Sequence, residues 1–319
     1  MKTKLNLLCL LLLSAFAHAQ KIDNTASFRD INSESYFRFN YDNDFFTATD
    51  LYYTQGYQLE LVTPWLCKNP INYILPKVKN GETRYGLLFE NLGYVPTSIS
   101  VAAIQYGDRP YASTMALKSF AIATDTVQHY RIASSLTVGV IGPAAQGNEI
   151  QTGIHKWIGD EPPLGWHNQV KNDLVLDYEL GYEKELLRLK NFFALNLDTK
   201  AHLSTFTTNA SIGFNATLGL INSPFTATKN KKKFTAYLYT QPKLKFVGYD
   251  ASLQGGLFNT TSPYTIPNSG IERFVYENNY GIIIRLHSLY FEYSRNDITS
   301  EFKSGHSHKW GGFKIGAAF

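Results

Sequence analysis

Short segments in which apolar and polar residues alternate recur along most of the chain. In the clearest of them, Ile212, Phe214, Leu218 and Leu220 alternate with small or polar residues. Alternation with a period of two is typical of a β-strand that has one face in lipid and the other in a polar interior. The pattern therefore predicts an all-β protein.

Thirteen segments fit this pattern. They are residues 36–42, 54–63, 84–90, 112–122, 130–141, 174–183, 192–201, 211–220, 234–240, 243–258, 274–285, 288–293 and 309–319. A closed barrel leaves no unpaired strand edge in lipid, and a barrel with both termini on one side needs an even number of strands. Since the segments after Leu220 are less regular, we expect one of them to be a loop or part of its neighbour. The prediction is a transmembrane antiparallel β-barrel of twelve strands.

Both ends of the sequence point to the outer membrane of a Gram-negative-type cell. Two lysines precede an apolar run that is too short for a transmembrane helix, and Ala17-His18-Ala19 offers a small-x-small cleavage site. We therefore expect a signal peptide over residues 1–19 and a barrel domain over residues 20–319. The last segment alternates up to the terminal Phe319 and resembles the insertion signal of outer-membrane barrels.

Composition narrows the range of functions. The formal net charge is +4, and removal of Lys2 and Lys4 with the signal peptide leaves 4 − 2 = +2, so we expect no nucleic-acid partner. One cysteine, Cys67, remains after the signal peptide. That excludes an internal disulfide and a cysteine-based zinc site. We expect the protein to be a monomer.

Strand counting places three loops on one rim. With a periplasmic N-terminus, the loops after the first, third and fifth strands lie on the extracellular side, near residues 43–53, 91–111 and 142–172. Apolar residues of the third loop recur at helical spacing, at Ile150, Ile154, Trp157 and Ile158. This spacing predicts a short extracellular helix, with Gln151 and His155 one turn apart on its flank. A lone histidine is more often structural, so both interpretations of His155 stay open.

The first of these loops brings carboxylate, amide and hydroxyl oxygens close together in sequence. They belong to Asp42, Asn43, Asp44 and Thr54. Oxygen ligands bind hard cations, and without a cysteine cluster they favour calcium over zinc. The strand pattern puts Asp42 and Asp44 on the lumen face. The alternative is a solvated acidic hairpin.

The second loop contributes Arg109, within Gly107-Asp108-Arg109-Pro110-Tyr111-Ala112. A guanidinium there could bind a phosphate or a carboxylate through two hydrogen bonds. It could equally belong to a turn with Asp108 and extend to the level of the lipid headgroups.

Taken in order, these motifs resemble those of the outer-membrane lipid A deacylases, which remove the 3'-O-linked acyloxyacyl group of lipid A. The motifs are Asp42-Asn43-Asp44, Asp50 with Tyr53-Thr54-x-Gly56, the Arg109 segment, Gly139-Val140-Ile141-Gly142-Pro143, Gln151 through His155 to Gly159, and Gly165-Trp166-x-Asn168-Gln169. They lie within residues 36–172. Beyond that range only the barrel pattern and the length agree.

The resemblance implies a calcium-dependent esterase of lipopolysaccharide with its active site between the barrel wall and the loop helix. It implies that His155 is catalytic and that Thr54 and Glu161 are active-site residues. The family's Asn-Asp pair could fall on Asp42-Asn43 or on Asn43-Asp44, so all three remain catalytic or metal candidates.

One position departs from the family pattern: Leu51 stands where many relatives carry arginine. This puts a substrate-headgroup contact in doubt but leaves the chemistry unaffected.

Ester hydrolysis needs an activated water and a stabilised oxyanion. The mechanism expected here resembles that of secreted phospholipase A2: His155 takes a proton from water, and calcium polarises the acyl carbonyl. Lipid A would enter laterally from the outer leaflet, with its phosphates near Arg109. Two rivals remain, a serine-type outer-membrane phospholipase using Ser113 or Ser135, and a non-enzymatic porin or adhesin.

Overall fold

Twelve antiparallel strands of the described residues close into a barrel. The computed structural model describes residues 23–47, 51–225 and 233–319. The expected signal peptide, residues 1–19, and Asp50 of the second motif lie outside these ranges. Each strand pairs with its sequence neighbours, and the first strand pairs with the last. Where the structure describes the chain, it contains no helix long and apolar enough to cross a membrane.

Long strands alternate with connections of very different length. The strands are β1 (Tyr36–Asn43), β2 (Tyr53–Val62), β3 (Gly81–Tyr94), β4 (Ala112–Asp125), β5 (Tyr130–Ile141), β6 (Asp173–Leu189), β7 (Phe193–Ser204), β8 (Thr207–Leu220), β9 (Phe234–Asp250), β10 (Phe274–Leu286), β11 (Leu289–Ile298) and β12 (His308–Ala318). The α-helices are α1 (Gly147–Ile158) and α2 (Ala251–Gln254). Short 3-10 helices lie at Ser27–Arg29, Asp44–Thr47, Pro64–Lys68, Pro70–Tyr73, Pro143–Ala145, Trp166–Asn168 and Asn268–Gly270.

The prediction of twelve strands is confirmed, and so is the short helix in the third long loop. The extra segment came from β9, because the predicted segment 234–240 and the first part of 243–258 belong to one strand. That strand ends at Asp250, so the prediction of strand over 251–258 was wrong, and a short helix begins there. Pro242 lies within it and is opposite Asn278 of β10, while the ladder to β8 skips this position. Proline has no N–H to donate, which accounts for a gap on one side of the strand.

The predicted alternation of faces holds along β1. Arg38, Asn40 and Asp42 are buried inside the barrel, whereas Phe37 on the outer face is 43% exposed. Exposed apolar side chains therefore cover the outer wall, as expected for a surface in lipid.

The chain before β1 fills the lumen at the rim opposite the long loops. Arg29 donates to Glu292 Oε1 (2.8 Å) and to the Tyr239 hydroxyl (2.9 Å). The Ser27 backbone N–H donates to the Glu183 carboxylate (2.9 Å). Arg38 of β1 in turn donates to the Arg29 carbonyl oxygen (2.8 Å). These buried contacts make the N-terminal segment part of the barrel core.

Candidate functional site

The outer face of strands β2–β4 carries buried polar residues at its top. Strand pairing sets Gln55 opposite Gly93, and Gly93 opposite Ser113. Asn91 lies one outer-face position below Gly93 and is 2% exposed, and Gln55 and Ser113 are also buried. Their positions alternate with the inner-face residues, so all of them point away from the lumen. Something other than lipid must therefore cover this part of the wall.

The cover is the third long loop. Asn91 Nδ2 donates to the Ala145 carbonyl oxygen (2.9 Å). The following residues start α1 against the wall, where a Cβ on Gly147 would lie 2.5 Å from Ser113 Cβ. Only a residue without a side chain allows an approach this close. The helix ends at Gly159, whose φ of 77° suits glycine. The first turn of α1 therefore packs directly on the outer wall of β2–β4.

A chain of buried hydrogen bonds ties α1 to β2. Gln151 Nε2 donates to Thr54 Oγ1 (3.1 Å), and Trp166 Nε1 donates to Gln151 Oε1 (2.7 Å). Thr54 lies where a β-bulge interrupts the register between Tyr53 and Gln55. A bulge redirects a side chain locally, which lets Thr54 reach the helix. The Nε2 donor of Gln55 has no hydrogen-bond partner among the described residues.

His155 lies one turn beyond Gln151 on the same helix, with a side chain that is 12% exposed. Its Nδ1 is 2.6 Å from the main-chain oxygen of Glu161 and 3.7 Å from Asp160 Oδ2. Because a carbonyl oxygen only accepts, Nδ1 carries the proton, and in the neutral ring the lone pair is on Nε2. The Glu161 residue is exposed, so its described link to His155 runs through the main chain.

The three polar residues at the end of β1 point in different directions. Asp42 faces the lumen, where its Oδ2 accepts from Asn40 Nδ2 (2.9 Å) and its Oδ1 has no hydrogen-bond partner in the described part of the chain. Asn43 lies on the outer face and donates to the Tyr41 hydroxyl (3.1 Å). Asp44 is buried, and its Oδ2 accepts from the Leu51 N–H (2.8 Å).

A separate cluster inside the barrel could hold a metal ion. Asp177, Glu179 and His202 each offer a ligand atom within 4.8 Å of the others. Lys118 and Lys200, at 2.7 and 2.6 Å from Glu179, compete for its carboxylate. A lumen cavity borders this cluster but is not lined by His155 or Thr54. No sequence pattern indicates the Asp177, Glu179 and His202 cluster, because it forms only when β6 pairs with β7.

Arg109 is buried above the lumen, 1% exposed. It pairs with Glu301 and donates to Ser252 Oγ (2.6 Å), with its guanidinium 4.6 Å from the centre of the Tyr94 ring. Burial raises the pKa of Glu301 to about 7, while the charge of Arg109 opposes that rise. The loops that follow β3, β9 and β11 on one rim thus meet at the Arg109 guanidinium.

Comparison with known proteins identifies the family. A family model described as outer membrane protein LpxR matches residues 5–319, nearly the whole chain. The chain belongs to the LpxR family. LpxR proteins are lipid A deacylases of the outer membrane, so the chain is an outer-membrane hydrolase of this class. Membership implies lipid A 3'-O-deacylation, with lipid A as the substrate.

The solved structure of an LpxR protein agrees on the fold. LpxR from Salmonella typhimurium is 18% identical, with a TM-score of 0.74, covering 89% of this chain and 100% of that one. The β domain of the Bordetella autotransporter BrkA is 7% identical, with a TM-score of 0.48, covering 90% and 100%. No curated protein matches the sequence of this chain.

Sequence reasoning did not single out the polar outer-face residues Gln55 and Asn91 of this LpxR-family barrel. A signal for them exists, because they are polar side chains at positions where the alternation requires lipid-facing apolar ones. The bond between Gln151 and Thr54 could not be inferred, since it depends on where the loop folds back.

Proposed function

We propose that the chain hydrolyses the 3'-linked acyloxyacyl ester of lipid A in the cleft between α1 and the outer wall of β2–β4. One observation carries the proposal: the 2.6 Å contact from His155 Nδ1 to the Glu161 main-chain oxygen. It leaves Nε2 as a free base beside a wall that meets the membrane. A base in that position suits a substrate that remains in the leaflet during the reaction.

The reaction follows from this arrangement. His155 Nε2 takes a proton from water, and the water oxygen forms a bond to the acyl carbonyl carbon. When the tetrahedral intermediate collapses, the ester C–O bond breaks and the imidazolium returns the proton to the sugar oxygen. The products are a fatty acid and a lipid A with a free 3' hydroxyl. Thr54 and Gln151 fix the helix that carries the base, and Gln55 Nε2 offers a free donor to a substrate oxygen.

Calcium fits the donor atoms at the end of β1, because these are oxygens throughout. We assign Asn43, Asp44 and Thr54 as the residues that would hold it, since Asn43 is on the outer face and Asp44 follows it directly. Asp42, the remaining candidate, faces the lumen. Bound calcium would supply a Lewis acid for the acyl carbonyl.

Two further residues of the expected site have revised roles in this proposal. Glu161 orients His155 through its main-chain oxygen. Arg109 would contact a lipid A phosphate only when its pairing with Glu301 is released. The cleft would open toward the extracellular side of a monomeric barrel.

The serine-type rival finds less support. Ser113 Oγ donates to the Leu92 carbonyl oxygen (3.0 Å) beneath α1, and Ser135 is on the inner face. In the described ranges neither serine is hydrogen-bonded to a histidine. A nucleophilic serine needs such a base within hydrogen-bond reach.

The test is the mass profile of lipid A from cells with and without the protein. We expect loss of the acyloxyacyl mass with the wild type and no loss with His155→Ala. A calcium chelator should also abolish the change. Cleavage of phospholipids with lipid A unchanged would instead favour the serine-type phospholipase.

A further inference from the structure

Helix α1 has an apolar edge that the barrel does not cover. The edge consists of Ile150, Ile154, Trp157 and Ile158. The side of α1 that packs on the wall carries Gly147 and Gln151, which are buried. Towards its end the helix is no longer covered by the wall: Trp157 is 86% exposed, and Ile158, seven residues after Gln151 on the same helix face, is 58% exposed. Exposed apolar side chains grouped in this way are typical of a surface that contacts a membrane or another protein.

The position of α1 shows which side of the barrel that edge is on. The helix starts over Ser113, an outer-face residue of β4. Two outer-face steps further along the same strand, past Met115, Leu117 is 53% exposed, and its neighbour Val138 on β5 is 48% exposed. These residues belong to the lipid-covered wall. Because α1 lies on that same outer surface, it is beside the membrane and not over the lumen.

An aromatic cluster marks the membrane boundary next to the helix. The rings of Tyr41 and Tyr57 are 5.0 Å apart, and the ring of Phe46 is 6.0 Å from Tyr41. Tyr57 is paired with Asn91, the residue that the third loop covers. Aromatic belts lie at the headgroup level of membrane proteins. The aromatic cluster and the start of α1 therefore lie at the same level of the wall.

We propose that the apolar edge of α1 is immersed in the outer leaflet of the membrane, at the boundary between headgroups and acyl chains. A helix with an apolar edge and a charged opposite side lies in this plane. Glu149 and Lys156, both exposed, lie seven residues apart on the side away from the edge. The proposal requires only that the barrel spans the membrane, and not that His155 is catalytic.

Spin labels test the proposal in the full chain. Cys9 and Cys67 are first replaced by serine, and Trp157→Cys or Ile158→Cys then carries a nitroxide. Glu149→Cys and Lys156→Cys are matched controls on the same helix. Each protein is reconstituted in phosphatidylcholine–phosphatidylglycerol vesicles, and barrel folding is checked by heat-modifiable gel mobility. Collision of the label with oxygen, which partitions into lipid, is compared with collision with a water-soluble nickel complex.

We expect labels at 157 and 158 to collide with oxygen and to be protected from nickel, and labels at 149 and 156 to show the reverse. Equal access of nickel to all four positions would overturn the proposal, because the edge would then be in water. Protection accompanied by dipolar broadening between labels would overturn it too, since a second copy of the chain would be the occupant.

Discussion

Gln151 of α1 donates a hydrogen bond from Nε2 to Thr54 Oγ1 of β2, at 3.1 Å. Its Oε1 accepts from Trp166 Nε1 at 2.7 Å, so both ends of the amide are engaged and its orientation is determined. All three residues are buried. Because His155 follows one turn later on the same helix, this amide sets the distance between the histidine and the wall.

Replacing Gln151 with leucine should therefore impair the reaction more than the fold. We expect Gln151→Leu to lower the rate of lipid A deacylation about 100-fold, the scale of effect that a displaced catalytic group has. The rate is measured by mass spectrometry on purified protein in detergent micelles with lipid A. Thr152→Ala, the next residue of α1, is the matched control and should retain the wild-type rate. An unchanged rate for Gln151→Leu would show that the hydrogen bond does not position the base.

A second prediction follows from the contact between His155 Nδ1 and the Glu161 main-chain oxygen. His155→Ala should lower the rate about 10²- to 10⁴-fold, because a general base is lost. Glu161→Ala should have a much smaller effect, since the main-chain oxygen that accepts from Nδ1 remains. Both rates come from the same micellar assay. If Glu161→Ala proved as damaging as His155→Ala, the carboxylate itself would be needed, and the main-chain role would be wrong.

Three of the four candidates for calcium binding, Asp42, Asn43 and Asp44, can be told apart because their side chains point in different directions. Asn43→Ala and Asp44→Asn should raise the free calcium needed for half-maximal activity by about 10-fold or more, because each removes a ligand. Asp42→Asn should leave this concentration unchanged, as Asp42 faces the lumen. The measurement is deacylation rate against buffered free calcium. A shift caused by Asp42→Asn alone would move the metal to the lumen side.

Much of the barrel is predictable from the sequence, because lipid imposes alternation on every strand. The bounds of β5 agree with the predicted segment 130–141 at both ends. The division of β9 failed because Pro242 breaks one ladder while the strand continues. The local pattern of apolar and polar residues does not distinguish two strands from one strand that has a gap in its hydrogen-bond ladder.

The candidate site was predictable as a set of residues but not as an arrangement. Alternation correctly put Asp42 in the lumen, yet it gave no indication that α1 packs on the opposite face of the wall. That depends on the third loop folding outward over Asn91 and Ser113. The same loop presents the Glu161 main-chain oxygen to His155, and no sequence pattern encodes such a contact.

The last prediction concerns how the KM for lipid A depends on pH, and it rests on the buried ion pair of Arg109 and Glu301. Burial raises the pKa of Glu301 to about 7, against the opposing charge of Arg109. By titration, roughly 10% of a group with this pKa is protonated at pH 8 and roughly 90% at pH 6. Protonation removes the negative charge that holds Arg109, so its affinity for a phosphate should rise as the pH falls. We expect the KM for lipid A to decrease between pH 8 and pH 6.

Glu301→Gln separates this effect from titration of the substrate, because the variant meets the same lipid A at each pH. Its carboxamide carries no charge at any pH, so its KM should be low throughout, and the ratio of wild-type to variant KM should fall toward one at pH 6. Arg109→Lys should raise the KM in both backgrounds, since an ammonium lacks the two-pronged geometry for phosphate. If the ratio of wild-type to variant KM stays constant from pH 6 to pH 8, Arg109 links the loops of the rim but does not contact the substrate.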